Sequence, residues 1–424
     1  MSIKKTLRNI DIRKKKVLVR VDFNVPLNKN LEITDDKRIV EAIPTIKYLL
    51  ENKAAVILMS HLGRPKGKVV PKMSLEPVSI RLGELLGKFV KFIGGDCIDS
   101  KSKKIASNLK YGEVLLLENL RFHPEEEGVF FSNDSNEFAM ENFAKELASM
   151  GNVFIQDAFG TIHRRHASTI YIVKHIEDSA IGLLVEKELK FFNDMLENPV
   201  RPFLAILGGA KVSDKINIIE NLLNKVDSII IGGAMAYTFL KSQGVSTGFS
   251  LVEDEKLDLA GELIRRAKEK KIDFLLPIDH TVIDKFDYSN RQIYEDTKIQ
   301  ITVDEAIPEK FMGVDLGPMS IEKFSEIIKF SKTIIWNGPV GVFEIDKFSK
   351  GTLKIAKNIA TATDEGAISI IGGGDSVSAI SRSGIDKRIT HISTGGGASL
   401  KLLEGKELPG ISVIPEINEI KKKC

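Results

Sequence analysis

The chain has 424 residues, 43% of them hydrophobic and 28% charged, with a formal net charge of +3. That length exceeds what one hydrophobic core usually supports and predicts two domains, while so small a charge gives no case for nucleic acid as a partner. Two cysteines, Cys97 and Cys424, make no disulfide framework and suit a reducing cytoplasm.

The first sixteen residues, MSIKKTLRNIDIRKKK, are basic but carry no apolar signal core, and predict a surface helix or turn. Short apolar runs then alternate with longer amphipathic segments. In the first half the runs are VLVRVDF (17–23), AAVILMS (54–60), VKFIG (90–94), EVLLLENL (113–120) and VFIQDAF (153–159). The segment 181–202 has apolar residues at helical spacing (Leu184, Val185, Leu189, Phe192, Leu196) and ends in ENPVRP, which predicts a helix linking two halves. The second half continues with FLAILGG (203–209), SIIIGG (228–233), DFLLPID (273–279), TIIWNGP (333–339), ISIIGGG (368–374) and ITHISTGGG (389–397). Runs this apolar on both faces read as buried parallel strands, with crossover helices between them. The predicted class is α/β, with two doubly wound parallel-sheet domains. The expected division is 1–178, a connecting helix at 179–202, a second domain at 203–400 and a C-terminal segment at 401–424. No apolar stretch is long enough to span a bilayer, and the terminal KKKC lacks the residues prenylation needs after its cysteine.

Ligands of open α/β sheets sit beyond the carboxyl ends of the strands, and the two halves differ there. The first half carries side-chain polarity at these ends: Asp22 and Asn24, His61 and Arg64, Asn119 and Arg121, then FGTIHRRHAST at 159–169. Two histidines three apart, His163 and His166, suggest a metal site. The arginines between them, Arg164 and Arg165, suggest the opposite, because a guanidinium keeps its charge and repels a cation. With Arg20 and with Arg38 of TDDKRI, arginines recur at or near strand ends of one domain. Randomly scattered charges would fall mostly on helix faces. The recurrence favours a phosphate or carboxylate site.

The second half carries glycine instead, at 208–209, 232–233, 338, 372–374 and 395–397, which lets backbone N–H groups approach phosphates at helix starts. LGGAKVSDKI (207–216) reads as a strand, a glycine turn and a helix bearing Lys211 and Lys215 one turn apart. GGGDSVSAI (372–380) puts Asp375 and Ser376 at a helix start, where the aspartate either caps the helix or holds Mg²⁺ beside a polyphosphate. WNGPVGVFE (336–344) offers Glu344 to ribose hydroxyls. Neither a Walker A loop nor the dinucleotide glycine fingerprint occurs, which argues against a nicotinamide-dependent dehydrogenase. A nucleotide-sensing protein without catalysis would lack the arginines or Lys211, and none is missing.

RVDFNVP, HLGRPKG, LLENLRFHPEEEG, DAFGTIHRRHAST, LGGAKVSDKI, WNGPVGVFE, IIGGGDSVSAI and ISTGGGASLKLLEGKELPG resemble, in order, the signature segments of phosphoglycerate kinases, over residues 17–411. The resemblance implies two Rossmann-like domains facing across a cleft and reversible phosphoryl transfer from 1,3-bisphosphoglycerate to MgADP, giving 3-phosphoglycerate and MgATP. It implies a substrate patch of Arg20, Asp22, Asn24, Arg38, His61, Arg64, Arg121, Arg164 and His166. It assigns the phosphates and the transferring group to Lys211 and Lys215, with Arg38 also meeting the moving charge. It gives Glu344 to ribose and Asp375 to Mg²⁺, with Gly233, Gly313, Asn337 and Gly373–Ser376 (Gly373, Gly374, Asp375, Ser376) lining the nucleotide site. The expectation is a cytoplasmic monomer acting on small molecules, with neither nucleic acid nor membrane as partner. Arg165 stands where the family has a small residue, Gln156 replaces an asparagine, and the tail is longer and more polar than usual.

Overall fold

The structure, a computed structural model, describes residues 4–128, 133–287 and 292–417; Cys424 and the KKKC tail lie outside them. The chain divides into two compact units, one of residues up to Lys190 with those from Glu407 on, the other Phe191–Lys406.

The first unit is built on six parallel strands: β1 (Lys16–Arg20), β2 (Ala55–Met59), β3 (Val90–Ile93), β4 (Val114–Leu117), β5 (Val153–Gln156) and β6 (Asp178–Ile181). Their order is β3-β4-β2-β1-β5-β6, so the chain reverses direction across the sheet between β1 and β5. Val56, Ile57, Leu58, Leu115 and Leu116 are fully buried although they alternate in direction along their strands, which requires cover on both faces of the sheet. Five of the six strands fall in the predicted apolar runs. The sixth does not: residues 179–181 finish β6 rather than opening the connecting helix, which spans Leu183–Glu197.

That helix starts where it does because its first N–H groups have a fixed acceptor. Asp157 Oδ1 accepts from the N–H groups of Leu184 (3.0 Å) and Val185 (3.1 Å), satisfying two donors that a helix start leaves open. Gly182 lies so close that a Cβ there would run into the Asp157 carboxylate. The division between the units falls inside this helix, at Lys190–Phe191. From the other end of the chain, Gly410 N–H donates to Ile162 O (2.8 Å) and Lys5 N–H to Pro415 O (2.9 Å), both within the first unit.

The second unit has β7 (Phe203–Leu207), β8 (Ser228–Ile231), β9 (Asp273–Leu275), β10 (His280–Ile283), β11 (Ile299–Ile301), β12 (Met312–Leu316), β13 (Thr333–Asn337), β14 (Ile368–Gly372) and β15 (His391–Ile392). Six of them form a parallel sheet ordered β9-β8-β7-β13-β14-β15. Counting only the strands of this sheet, the order is 3-2-1-4-5-6, the Rossmann order, with its switch point between β7 and β13. The remaining three pair antiparallel as β11-β10-β12, an added sheet that the all-parallel reading of the sequence does not contain. Trp336, on β13, is fully buried and joins Phe324, Ile355 and Ile359 in the core of this unit.

Candidate functional site

In the first unit, the side chains at the ends of β1, β2, β4 and β5 interlock. Arg20, the last residue of β1, is completely buried. Its Nε donates to Ser168 Oγ (2.7 Å) and one terminal nitrogen to Val21 O (2.6 Å). The other terminal nitrogen lies 3.5 Å from Glu126 Oε1 and 3.4 Å from His61 Nδ1. A guanidinium only donates, so that contact makes Nδ1 the acceptor and the His61 ring neutral. Burial, reinforced by the charges of Arg20 and Arg121, holds His61 well below its ordinary range.

Asp22, two residues beyond Arg20, accepts at both oxygens from one nitrogen of Arg38 (2.9 and 2.8 Å). Arg38 sits in the first turn of the helix Lys37–Glu51 and stays part-exposed. Asn24 Oδ1 accepts from Gly63 N–H (2.8 Å), tying the loop after β1 to the loop after β2. Asn119 acts similarly after β4. Its amide donates to Leu62 O and Met73 O, and its side-chain oxygen takes the N–H of Arg121.

Arg121 is 3% exposed, and one nitrogen donates to Gly63 O (2.8 Å). Its Nε is 3.0 Å from Glu127 Oε1, yet neither Nε nor the second terminal nitrogen has a hydrogen-bond partner. Burial lowers its pKa to about 10, Glu127 opposes that, and Arg20 and Arg164 add to it. His166, also buried, is pushed to about 2 by burial and then by Arg121, Arg20 and Arg164. Arg164 Nε donates to His163 Nε2 (3.2 Å). Arg20, Arg38, Arg121, Arg164, His61 and His166 thus form one electrostatic group, short of negative charge. Arg64 and Arg165 are exposed.

Buried partners that the sequence reading did not single out hold this group. Glu126 is fully buried, beside Arg20, and accepts from Ser168 N–H (3.0 Å) and Oγ (2.6 Å); burial pushes its carboxyl up. The signal was present in HPEEEG, an acidic triplet following an arginine at a strand end. Nothing in the spacing says which glutamate turns inward.

In the second unit, the switch point between β7 and β13 is closed by glycine. A Cβ on Gly208 would run into Pro339 O, and one on Gly338 into Gly208 O, so two backbones cross with no room for side chains. Gly233 follows β8 with φ +68° and donates its N–H to Val340 O (3.0 Å). Gly373, at φ +88°, opens the helix Gly374–Ser383, and Gly338 N–H donates to Ser376 Oγ (2.6 Å). Asn337, the last residue of β13, is 1% exposed and accepts from Lys215 Nζ, while its own Nδ2 has no hydrogen-bond partner. That Nδ2 would lie 3.1 Å from a Cβ on Gly373, which places it at the glycine turn.

Lys211 and Lys215 are not one turn apart on a helix. The helix is Ile216–Leu222, with Lys215 at its N-cap and Lys211 in the irregular segment before it. The N–H and Oγ of Ser213 are both bound by Glu253 (3.0 and 2.6 Å), which holds this segment off the helix axis. Lys211 is exposed, whereas burial lowers Lys215 to about 8 against the opposing charges of Asp214, Asp375 and Glu404. Asp375 is exposed in the first turn of the helix Gly374–Ser383 and caps nothing, since Gly373 occupies the cap position. An exposed carboxylate beside a glycine turn suits Mg²⁺, which takes one or two carboxylates with phosphate oxygens. Gly313 lies on β12 against Tyr237, whose hydroxyl leaves no room for a Cβ. Glu344 is exposed on the loop after β13, which Val342 N–H ties to Val314 O of β12 (2.8 Å).

Comparison with known proteins gives one answer. The family model for phosphoglycerate kinase matches residues 7–406. A phosphoglycerate kinase of Chlorobium phaeobacteroides (strain BS1) is 54% identical over 411 residues, 97% of this chain and 99% of that protein. One from Clostridium kluyveri is 52% identical over 412 residues, 97% of this chain and 98% of its own. Among solved structures, phosphoglycerate kinase from Coxiella burnetii superposes with a TM-score of 0.83 at 38% identity, covering 97% of this chain and 98% of the other. The enzyme from Pyrococcus horikoshii OT3 gives 0.78 at 30%, with the same coverage. Two Rossmann-like units, a cluster of strand-end arginines in one, a glycine-lined switch point in the other, and these likenesses place the chain in the phosphoglycerate kinase family.

Proposed function

We propose that the arginine group of the first unit binds 3-phosphoglycerate or 1,3-bisphosphoglycerate, and that the glycine turns of the second bind MgADP or MgATP. The protein is a phosphotransferase with a carboxyl group as acceptor, and its reaction is the reversible phosphoryl transfer of the family. The observation that carries the substrate assignment is the buried Arg121 guanidinium, whose second terminal nitrogen has neither a hydrogen-bond partner nor an ion-pair partner among the described residues. Buried donors are almost always paired, so an anion is the natural completion.

Arg20, Arg38, Arg64, Arg121, Arg164, His61 and His166 would surround the anionic groups, with Asp22 and Asn24 at the glycerate hydroxyl and carboxyl end. Because burial keeps His61 and His166 neutral, they contribute hydrogen bonds rather than charge. In the other unit, Asn337 Nδ2 and the turn Gly373–Ser376 would donate to phosphates, Glu344 would hold ribose, and Gly233 and Gly313 would let the nucleotide lie close to the backbone. Asp375 would hold Mg²⁺, which would supply positive charge beside the phosphate oxygens.

The transferring oxygens are already ionised, so no general base is required. Lys211, Lys215 and Arg38 would meet the charge of the moving group, the electrostatic contribution that dominates a loose phosphoryl transition state. Each unit carries one set of ligand groups, and in-line transfer needs reacting atoms about 3–3.5 Å apart. We infer that a hinge motion brings the two ligands together in turnover. The same reading takes the protein as a monomer working in the cytoplasm. A coupled assay for ATP formation from 1,3-bisphosphoglycerate and MgADP tests the reading. Activity in the intact chain and its loss in Arg121→Ala are expected. NAD binding in place of ATP, or an Arg121→Ala chain with unchanged KM and kcat, would overturn it.

A further inference from the structure

Apart from these residues, the loops after β3 and β4 bring three metal-binding atoms together. Asp96, Cys97 and His123 each present one ligand atom, and all three lie within 4.8 Å of one another. We propose that Asp96, Cys97 and His123 form a binding site for a transition-metal ion, zinc foremost, separate from the Mg²⁺ that accompanies the nucleotide.

The donor set selects the ion class. A thiolate, an imidazole and a carboxylate suit Zn²⁺ in a tetrahedron, while Mg²⁺ and Ca²⁺ take oxygen. Three protein ligands leave a fourth position for water. His123 is already aimed: Nε2 is 3.4 Å from Asp96 Oδ1, and the ring stacks on Phe143 with centroids 4.8 Å apart. Its other nitrogen, Nδ1, faces Glu125 Oε2 at 4.0 Å. That oxygen is buried and lacks a hydrogen-bond partner. A carboxylate behind a ligating histidine is the usual outer support of a zinc site, fixing the tautomer and raising the ring's basicity.

Asp96 is also held in place, since its Oδ1 accepts the N–H of Ile98 (2.9 Å). Its side chain is half exposed and leaves a way in, while Cys97 is 1% exposed and shielded from larger oxidants. On binding, the Cys97 thiol releases its proton to solvent and the sulfur takes the metal. The ion would clip the loop after β3 to the segment that carries Arg121, Glu126 and Glu127, restraining the arginine group from behind. An Asp96–His123 ion pair alone would involve no sulfur, and that difference is measurable.

The test uses chelator-stripped full-length protein carrying Cys424→Ser, so that Cys97 is the remaining thiol. Titration with Co²⁺ should saturate at one equivalent with a sulfur-to-cobalt charge-transfer band, and Zn²⁺ should displace it. Adding Cys97→Ser should remove the band. His123→Gln should weaken zinc binding at least about 100-fold, and Glu125→Gln by about 10–100-fold, as outer-shell losses do. Glu125 contributes no metal ligand, so its variant keeps the test decisive if Cys97→Ser does not fold. No band in the Cys424→Ser protein, or zinc affinity unchanged in both His123→Gln and Glu125→Gln, would overturn the proposal.

Discussion

Lys215 offers the sharpest test of the nucleotide assignment, because burial has already altered its chemistry. Desolvation lowers its pKa from 10.5 to about 8 even though Asp214, Asp375 and Glu404 pull the other way. The difference corresponds to roughly 3 kcal/mol against the charged form. A nucleotide phosphate set beside Nζ would supply the missing counter-charge and return the pKa toward its ordinary value. At pH 8 the free protein holds the proton in about half its molecules, and at pH 9 in about one in ten. Binding should then take up about half a proton at pH 8 and about nine-tenths at pH 9. Affinity should fall about tenfold per pH unit above pH 8, since only protonated Lys215 matches the phosphate. Calorimetric titration of MgADP in buffers of different ionisation enthalpy reads the uptake directly. Lys215→Met should abolish it, and Lys215→Arg should bind without a pH dependence above 8, because a guanidinium stays charged. If wild type and Lys215→Met take up the same number of protons, Lys215 does not meet the phosphates and the reasoning fails.

Removing Glu126 as Glu126→Ala would leave the buried Arg20 guanidinium without its carboxylate, at a cost of about 3–5 kcal/mol of unfolding free energy; urea denaturation followed by fluorescence measures it, and a loss under about 1 kcal/mol would show that solvent reaches Arg20. Lys211→Ala should lower kcat on the order of 10²-fold with little effect on nucleotide affinity, whereas Glu344→Ala should chiefly raise KM for ATP; steady-state kinetics separates the two, and a Lys211→Ala effect confined to KM refutes a transition-state role. Sulfate should compete with 3-phosphoglycerate, and His163→Ala and His166→Ala should leave metal content unaltered. Zinc lost from either variant would turn the HRRH segment back into a metal site. Small-angle scattering should show a smaller radius of gyration with both substrates bound than with neither, and an unchanged value would count against hinge closure unless the free protein is already closed.

The parallel sheets were legible in the sequence because a strand buried on both faces leaves no freedom in its composition. AVILM and FLAIL have to be apolar throughout, and the residues after them have to turn. The strand-end rule then found the arginines and glycines without any knowledge of how the strands order. β6 escaped because DSAI is short and mixed. β11 escaped because all three of its residues are exposed, so no burial pattern marks it. The added antiparallel sheet depends on pairing among residues from His280 to Leu316, which local periodicity does not encode.

The chain by itself determined which charged groups lie at the ends of strands. The tertiary structure decided what those charges are worth. Arg20 and Arg64 read alike in sequence, yet one is fully buried against Glu126, Ser168 and His61 and the other is exposed. Lys211 and Lys215 read as a matched pair, but Glu253 draws the segment around Ser213 off the helix and leaves one lysine in solvent and the other against Asn337. Residue type fixes charge and hydrogen-bonding capacity; desolvation and the nearest partner fix pKa and strength, and both come from residues distant in the chain that folding places within a few ångströms.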